Sequence, residues 1–216
     1  MQITSIKTSK IPNRVWITFS DRSFIPFFID DIVKLSLVKN QEIDESKLKL
    51  ITKTALQFIG REYALRQIAI SPKTEKIINQ KLKLFFQKTI LKYKFNTNNL
   101  NLSEINQQII KELKDRKLLN DQDFIDYFVK KNHKKSRQQI IYSLQQFGVD
   151  SSLLSSVEFN QESDIDKIKK LLNKKNIDKS KLTDFNEKNK IKASLYRRGF
   201  NLSDINNAFD DWLNFR

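Results

Sequence analysis

A helix–turn–helix phrase recurs along this chain, and the recurrence narrows the possible folds more than any other feature. SLYRRGFNLSDINNAF (Ser194 to Phe209) is matched by SLQQFGVDSSLLSSVE (Ser143 to Glu158) and, in its second half, by NLNLSEINQQII (Asn99 to Ile110). In the two later copies an apolar-periodic run ends at Gly148 or Gly199. An apolar residue follows (Val149, Phe200), and Asp150 or Asn201 then opens the next run. Gly tolerates the left-handed conformation that stops a helix, and Asp or Asn caps the one that follows. The first copy has no Gly. Tandem units of this kind bury their apolar faces against their neighbours.

The rest of the chain extends that pattern. RVWITF (Arg14 to Phe19) and SFIPFF (Ser23 to Phe28) are short, aromatic and β-branched, with turn-forming Ser20-Asp21-Arg22 between them, and predict a β-hairpin. Pro26 confines the second run to a sheet edge or to its own end. Asp30 to Leu37 predicts a short helix. From Glu45 the apolar period turns helical through Leu48, Ile51, Ala55, Phe58 and Ile59. Ser71-Pro72 breaks it, with Pro expected in the first turn of the next helix, which carries Ile78, Leu82, Phe85 and Phe86. Asn101 opens a third helix with Ile105, Ile109 and Leu113. Asp121 begins another run (Phe124, Ile125, Phe128, Val129), and Ser136-Arg-Gln-Gln139 fits a capping box ahead of Ile140, Ile141, Leu144 and Phe147. The last cycle runs from Ser163 through Ile165, Ile168, Leu171 and Leu172, crosses a polar link, and continues through Ile191 and Leu195 to the stripe Ile205, Ala208, Phe209 and Trp212.

These readings predict a mainly α fold: three tandem three-helix repeats in an elongated, curved, solenoid-like body preceded by an N-terminal β-hairpin. The expected divisions are 1–44 (hairpin and short helix), 45–119 (first repeat), 120–160 (second) and 161–216 (third). Three Gly and three Pro in 216 residues suit helices with short connections.

Charge and composition then limit function. Forty Lys and Arg stand against 25 Asp and Glu, a net charge of +15, which favours polyanionic partners. The chain has no Cys, which excludes disulfides and suits a reducing cytoplasm. No apolar run approaches about 18 residues, so no membrane span is expected, and MQITSIKTSK lacks the apolar core of a signal peptide. With one His, no Cys and three widely separated Gly, zinc sites, Cys–His nucleophiles and Gly-rich phosphate loops have little support. No catalytic residue, metal or cofactor is predicted. Asp121, Asp123 and Asp126 read as acids complementing a helix N-terminus.

Four segments together resemble the RecX family of recombination regulators. They are ALRQIAISPKTEKIINQKL (Ala64 to Leu82), LLNDQDFIDYFVKKNHKKSRQQIIYSLQQFGVD (Leu118 to Asp150), the lysine-rich Asp164 to Lys175, and KNKIKASLYRRGFNLSDI (Lys188 to Ile205). The last is close to the family's Lys-x-x-x-x-Leu-x-x-Arg-Gly-Phe-x-x-x-x-Ile ending. Departures from the family pattern are Asn120 for an Asp, Ile125 for an Ala, Ser136 where Gly is frequent, and Ser71-Pro72 within a basic stretch. The resemblance implies a non-enzymatic, cytoplasmic modulator of the RecA recombinase, acting in DNA repair and the SOS response. Such a protein binds the recombinase filament, and with it single- or double-stranded DNA without sequence preference.

Two basic groups are candidates for those contacts. Lys130, Lys131, Lys134, Lys135 and Arg137, around His133, contain no acid. They read either as a phosphate- or acid-binding cluster or as cations complementing a helix C-terminus. Lys190, Lys192, Arg197 and Arg198, with Lys188, form the second group. Its Arg pair could grip phosphate or carboxylate with two parallel bonds, or bridge to Asp204 or Asp210. Lys167, Lys169, Lys170, Lys174 and Lys175 read as a solvated face. Trp16 and Phe19 are the aromatic residues most open to a stacking role, with packing between elements as the favoured alternative. A general DNA-binding helix–turn–helix protein and a helical scaffold for a protein partner are the competing readings. Tandem stacking needs no second chain, so a monomer is expected.

Overall fold

The computed structural model describes residues 1–95, 97, 100–155, 157, 159 and 162–214. It divides into two compact units, Met1–Asn120 and Asp121–Arg216. Eleven helices and three strands lie among the described residues, so the fold is mainly α with a small N-terminal sheet.

In the first unit, β1 (Ile3–Thr8), β2 (Arg14–Phe19) and β3 (Phe24–Phe28) form an antiparallel sheet in that order. The hairpin expected from sequence is β2–β3. Its turn is closed by Phe19 N–H donating to Ser23 O at 2.9 Å, and Asp21 Oδ1 accepts from Ser23 N–H at 2.9 Å. Pro26 faces Trp16 on the edge strand β3, where its missing N–H interrupts no ladder on the far side. Strand β1 is an addition to the sequence reading. Only Ile3 of its six residues is buried, so it lacks a clean alternation. The segment after α1 (Ile29–Lys34) returns beside it, with Ile3 N–H donating to Gln41 O at 2.9 Å.

Helices α2 (Glu45–Ile70), α3 (Glu75–Tyr93) and α4 (Leu102–Asp115) pack against one another in this unit. Asp44, Thr74 and Asn101 cap them, each side chain accepting a first-turn N–H. Pro72 lies ahead of the Thr74 cap and not in the first turn of α3. Ile51, Ala55, Phe58, Ile59, Ile78, Leu82, Phe86, Ile105, Ile109 and Leu113 join Val15, Ile17, Phe19, Ile25 and Phe27 in one core. Gly60 allows the closest approach, because a Cβ there would meet Ile109 Cδ1 and Phe86 Cζ, each at 2.7 Å. Helices α2 and α4 are also laced by Lys53–Glu104 (3.0 Å), Gln57–Gln108 (2.6 Å) and Arg61–Glu112 (3.1 Å).

The second unit contains α5 (Asp121–Lys131), α6 (Arg137–Gln146), α7 (Ser151–Ser155), α8 (Asp164–Lys174), α9 (Lys179–Thr183), α10 (Phe185–Tyr196) and α11 (Leu202–Asn214). Helix α9 occupies the link read from sequence as merely polar; its five residues bury Leu182. Gly148 and Gly199 take φ of 82° and 85°. Beyond each, the same closing bond forms: Val149 N–H to Leu144 O at 3.1 Å, and Phe200 N–H to Leu195 O at 3.4 Å. The first copy makes this turn without Gly. Lys94 enters the left-handed region (φ 53°), and Phe95 N–H donates to Ile90 O at 3.1 Å.

Candidate partner-binding surface

The positive surplus is unevenly divided. Met1–Asn120 carries 22 Lys and Arg against 11 Asp and Glu, and Asp121–Arg216 carries 18 against 14. The first unit therefore holds 11 of the 15 net charges, although both sequence-chosen groups lie in the second.

Within the second unit, the turn between α10 and α11 seats on the start of α6. Ser136 is 1% exposed, and its hydroxyl accepts from Gln139 N–H at 3.1 Å. Its own N–H donates to Arg198 O at 3.2 Å. The expected capping box is thus half made, and its second bond is replaced by one to the α10–α11 turn. Gly199 fits this seat closely: a Cβ would lie 2.5 Å from Gln139 Cβ and 2.8 Å from Ser136 Oγ. This contact brings Lys134 and Lys135 beside Arg197 and Arg198 across about sixty residues of sequence, because each pair adjoins one end of the hydrogen bond.

The members of the two groups differ in their freedom. Lys130, Lys131, Lys134, Lys190 and Arg197 are exposed, and Lys135, Lys192 and Arg198 are half-buried. Among the described residues, no carboxylate pairs with Lys130, Lys134, Lys135, Lys192, Arg197 or Arg198. The bridge from the Arg pair to Asp204 or Asp210 does not form; Asp204 instead accepts from the Asn201 side chain at 2.8 Å. Arg198 borders a small pocket together with Leu172, Ile191 and Leu195. Lys131 Nζ donates to the Tyr127 hydroxyl at 3.1 Å. Lys190 pairs with Glu187 at 2.8 Å, and that hydrogen bond, then the charge attraction, raises its pKa above the ordinary lysine value.

Arg137 is turned inward. Its N–H donates to the Asp164 carboxylate (3.2 Å), its Nη2 to Glu162 O (2.9 Å), and its guanidinium lies 5.7 Å from the Phe159 ring centre. It joins α6 to the start of α8. Lys167 departs from the solvated-face reading in the same way. It is 8% exposed, with its ammonium on Asp164 at 3.1 Å and Lys135 O at 3.5 Å. Lys169 and Lys170 pair with Asp211 (2.7 Å) and Glu162 (3.0 Å), while Lys174 and Lys175 are exposed.

The sequence reading missed a basic face in the first unit. Arg66 of α2 and Lys88 and Lys92 of α3 border a cavity of about 310 Å³ that also touches Arg14, Glu62 and Tyr93. Lys88 and Lys92 are four apart on one helix, where like charges repel. That spacing is the one local signal of the site. Trp16 is half-buried beside it, and Phe19, the other stacking candidate, is core at 1% exposure. Among the described residues, no group of three or more His, Cys, Asp or Glu could hold a metal ion. No helix among them is long and apolar enough to cross a membrane.

Residues 162–209, spanning most of α8 to α11, match the family model described as RecX, third three-helix domain. The regulatory protein RecX of Streptococcus mutans serotype c is 29% identical over 217 residues, covering 98% of this chain and 77% of that protein. Its counterpart from Streptococcus pneumoniae is 27% identical over 216 residues, with the same coverage. The chain is thus similar to RecX proteins over nearly its whole length, and to the family's third domain over residues 162–209. Its fold agrees with a crystal structure of regulatory protein RecX at a TM-score of 0.60, with 21% identity over 97% of this chain and 98% of that one. A RecX structure from Lactobacillus salivarius aligns over 73% of this chain and 96% of its own, at a TM-score of 0.51 and 20% identity. The match to residues 162–209 includes the Arg197-Arg198-Gly199-Phe200 turn that seats on Ser136.

Proposed function

We propose that this chain is a RecX-family, non-enzymatic regulator of homologous recombination. It binds the filament of a RecA recombinase, contacts the DNA within it without sequence preference, and inhibits or destabilises the filament. The observation that supports this most directly is the Ser136–Arg198 backbone hydrogen bond, which brings the ends of two basic runs together. Lys130, Lys134, Lys135, Lys192, Arg197 and Arg198 carry their unneutralised charge. A filament with its DNA is a polyanion, and each phosphate contact releases counterions, so binding weakens as salt rises. The regulator shifts the filament equilibrium by its difference in affinity for the assembled and disassembled states. A few charge-assisted bonds, at about 1.5–3 kcal/mol each, are enough for a large shift. In this reading the chain acts as a cytoplasmic monomer, with its helices grouped as repeats over 45–119, 120–160 and 161–216.

The test is ATP hydrolysis by the cognate recombinase on single-stranded DNA. Stoichiometric regulator lowers the rate, and replacing Lys134, Lys192, Arg197 and Arg198 by Gln restores most of it. An unchanged rate with the unaltered protein refutes the proposal. Full inhibition by the neutralised variant refutes the assignment of this surface.

A further inference from the structure

The cavity between the sheet and the α2–α3 pair combines two kinds of group that the proposed filament contact does not use. Arg14 and Glu62 at its back are paired and neutralise each other. Arg66, Lys88 and Lys92 at its border are exposed and have no carboxylate partner among the described residues. Thr89, buried between the two lysines, adds a hydroxyl to the lining. The aromatic wall is Tyr93, whose ring centre lies 5.9 Å from that of Trp16 and 5.5 Å from that of Phe24; the latter two are 5.6 Å apart. Trp16 and Phe24 lie outside the cavity's lining and adjoin it through Tyr93, and Phe24 is 42% exposed, so the edge of this cluster faces solvent. Lys92 Nζ sits 5.1 Å from the Tyr93 ring centre, joining the cationic and aromatic parts.

Tyr93 packs on the core and the three rings on one another, but two costs are left over. Lys88 and Lys92 repel one turn apart, and a large exposed Phe next to a half-buried Trp leaves apolar surface in water. An anionic ligand relieves the first cost, and a flat apolar ring covers the second. A nucleotide has both within one covalent unit. We infer that this cavity is a nucleotide site, with phosphate held by Arg66, Lys88 and Lys92 and the base stacked on Phe24 and Trp16 beside Tyr93. Its size lies at the lower end of the ~300–1,000 Å³ that small-ligand sites occupy. Aromatic stacking next to a cationic groove is the common design of sites that take unpaired bases. Carboxylates of an acidic peptide would meet the cations but leave the rings uncovered. The same chemistry is offered by a free nucleotide and by one nucleotide of a single strand. The site is in the first unit and does not depend on the filament reading.

Trp16 provides the readout. The chain has two Trp residues, and Trp212→Phe leaves Trp16 as the sole emitter. The full-length W212F chain is titrated at low salt with a thymidine oligonucleotide, with thymidine monophosphate, and with polyglutamate. Quenching by the oligonucleotide alone assigns the site to single strands; quenching by both ligands assigns it to free nucleotide as well. Replacing Arg66, Lys88 and Lys92 by Gln weakens binding about tenfold or more and flattens its salt dependence, and Phe24→Ser reduces the quench. Circular dichroism checks that each variant is folded. No quenching by either nucleotide ligand overturns the proposal, as does unaltered affinity in the triple variant. Polyglutamate binding as tightly as the oligonucleotide also overturns it. Inhibition of the recombinase by the triple variant is scored separately, so failure here is distinguishable from failure of the filament reading.

Discussion

Replacing Gly199 by Ala tests the contact that joins the two basic runs. The residue sits at φ 85°, where an L side chain costs about 1–2 kcal/mol. The unfolded chain returns about 0.4–1 kcal/mol of that, because Ala has fewer states to lose. The added Cβ would meet Gln139 Cβ at 2.5 Å, Ser136 Oγ at 2.8 Å and Gln139 Oε1 at 3.0 Å. Two of these are stiff, one being the first carbon of a helical residue and the other a buried capping hydroxyl. Overpacking of this kind costs about 1–3 kcal/mol. The expected loss is therefore about 2–4 kcal/mol, set mainly by how far the α10–α11 turn can back away from α6.

Urea unfolding in a Trp16→Phe background measures the loss, since Trp212 of α11 then reports the second unit alone. With a slope of about 1–2 kcal/mol per molar, the midpoint falls by about 1–4 M. A cycle with Gln139→Gly separates clash from backbone strain. If the Cβ contact is the cause, the second substitution restores part of the loss, with a coupling of about 1 kcal/mol or more. Strict additivity, or a loss below about 0.5 kcal/mol for Gly199→Ala, refutes the reasoning. In conditions where the variant remains folded, moving the turn also separates Arg197 and Arg198 from Lys134 and Lys135, and inhibition of the recombinase weakens.

The first copy of the turn gives the converse case: Lys94 holds a left-handed φ of 53° without being Gly. Lys94→Gly is expected to stabilise the first unit by about 0.5–1 kcal/mol, seen as a higher urea midpoint followed by Trp16 in the W212F chain. Lys167→Ala leaves Asp164 without its ammonium partner on the inner side of α8 and is expected to cost about 1–3 kcal/mol, measured by the same denaturation through Trp212. Asp166 and Asp178 are held below the ordinary Asp value, first by hydrogen bonds from the Ser163 and Ser180 hydroxyls and then by backbone N–H groups. A lowered carboxylate stabilises the fold above its unfolded pKa and loses that contribution as pH falls through the folded value. The urea midpoint is therefore expected to drop on acidification below the ordinary Asp range, and less steeply in a Ser163→Ala, Ser180→Ala variant.

What could be read from the sequence was governed by how local each signal is. Asn101, Ser136, Asp150 and Asn201 act on N–H groups two or three residues away, so their capping is visible in a short window. Helical spacing likewise identifies Ile78, Leu82 and Phe86, because their common face follows from the helix alone. Strand β1 is fixed by what lies beside it: Ile3 pairs across from Phe19, and Gln2 bridges Glu42. Nothing inside ITSIKT announces those partners. Helix α9 is short and has one buried residue, Leu182, too little for a period to show.

Charge was legible as a sum but not as a distribution. A Lys or Arg looks the same in sequence whether its head is solvated, paired or buried, and this chain uses all three arrangements within one unit. Lys134 and Arg197 are exposed without a carboxylate partner, Lys169 and Lys170 are paired at the surface, and the Arg137 guanidinium (to Glu162 O) and the Lys167 ammonium (to Asp164) both lie within 6 Å of the Phe159 ring centre. The distinction arises from where an acid from another helix arrives. The cavity in the first unit follows the same rule, since Arg14, Arg66, Lys88 and Lys92 come from three elements and meet a single acid, Glu62. A cluster whose members are each unremarkable in their own segment becomes a site when the packing of α2 and α3 against the sheet assembles it. The greater part of the net charge thus lies in the unit where no run of basic residues is conspicuous, so local runs of Lys do not locate it.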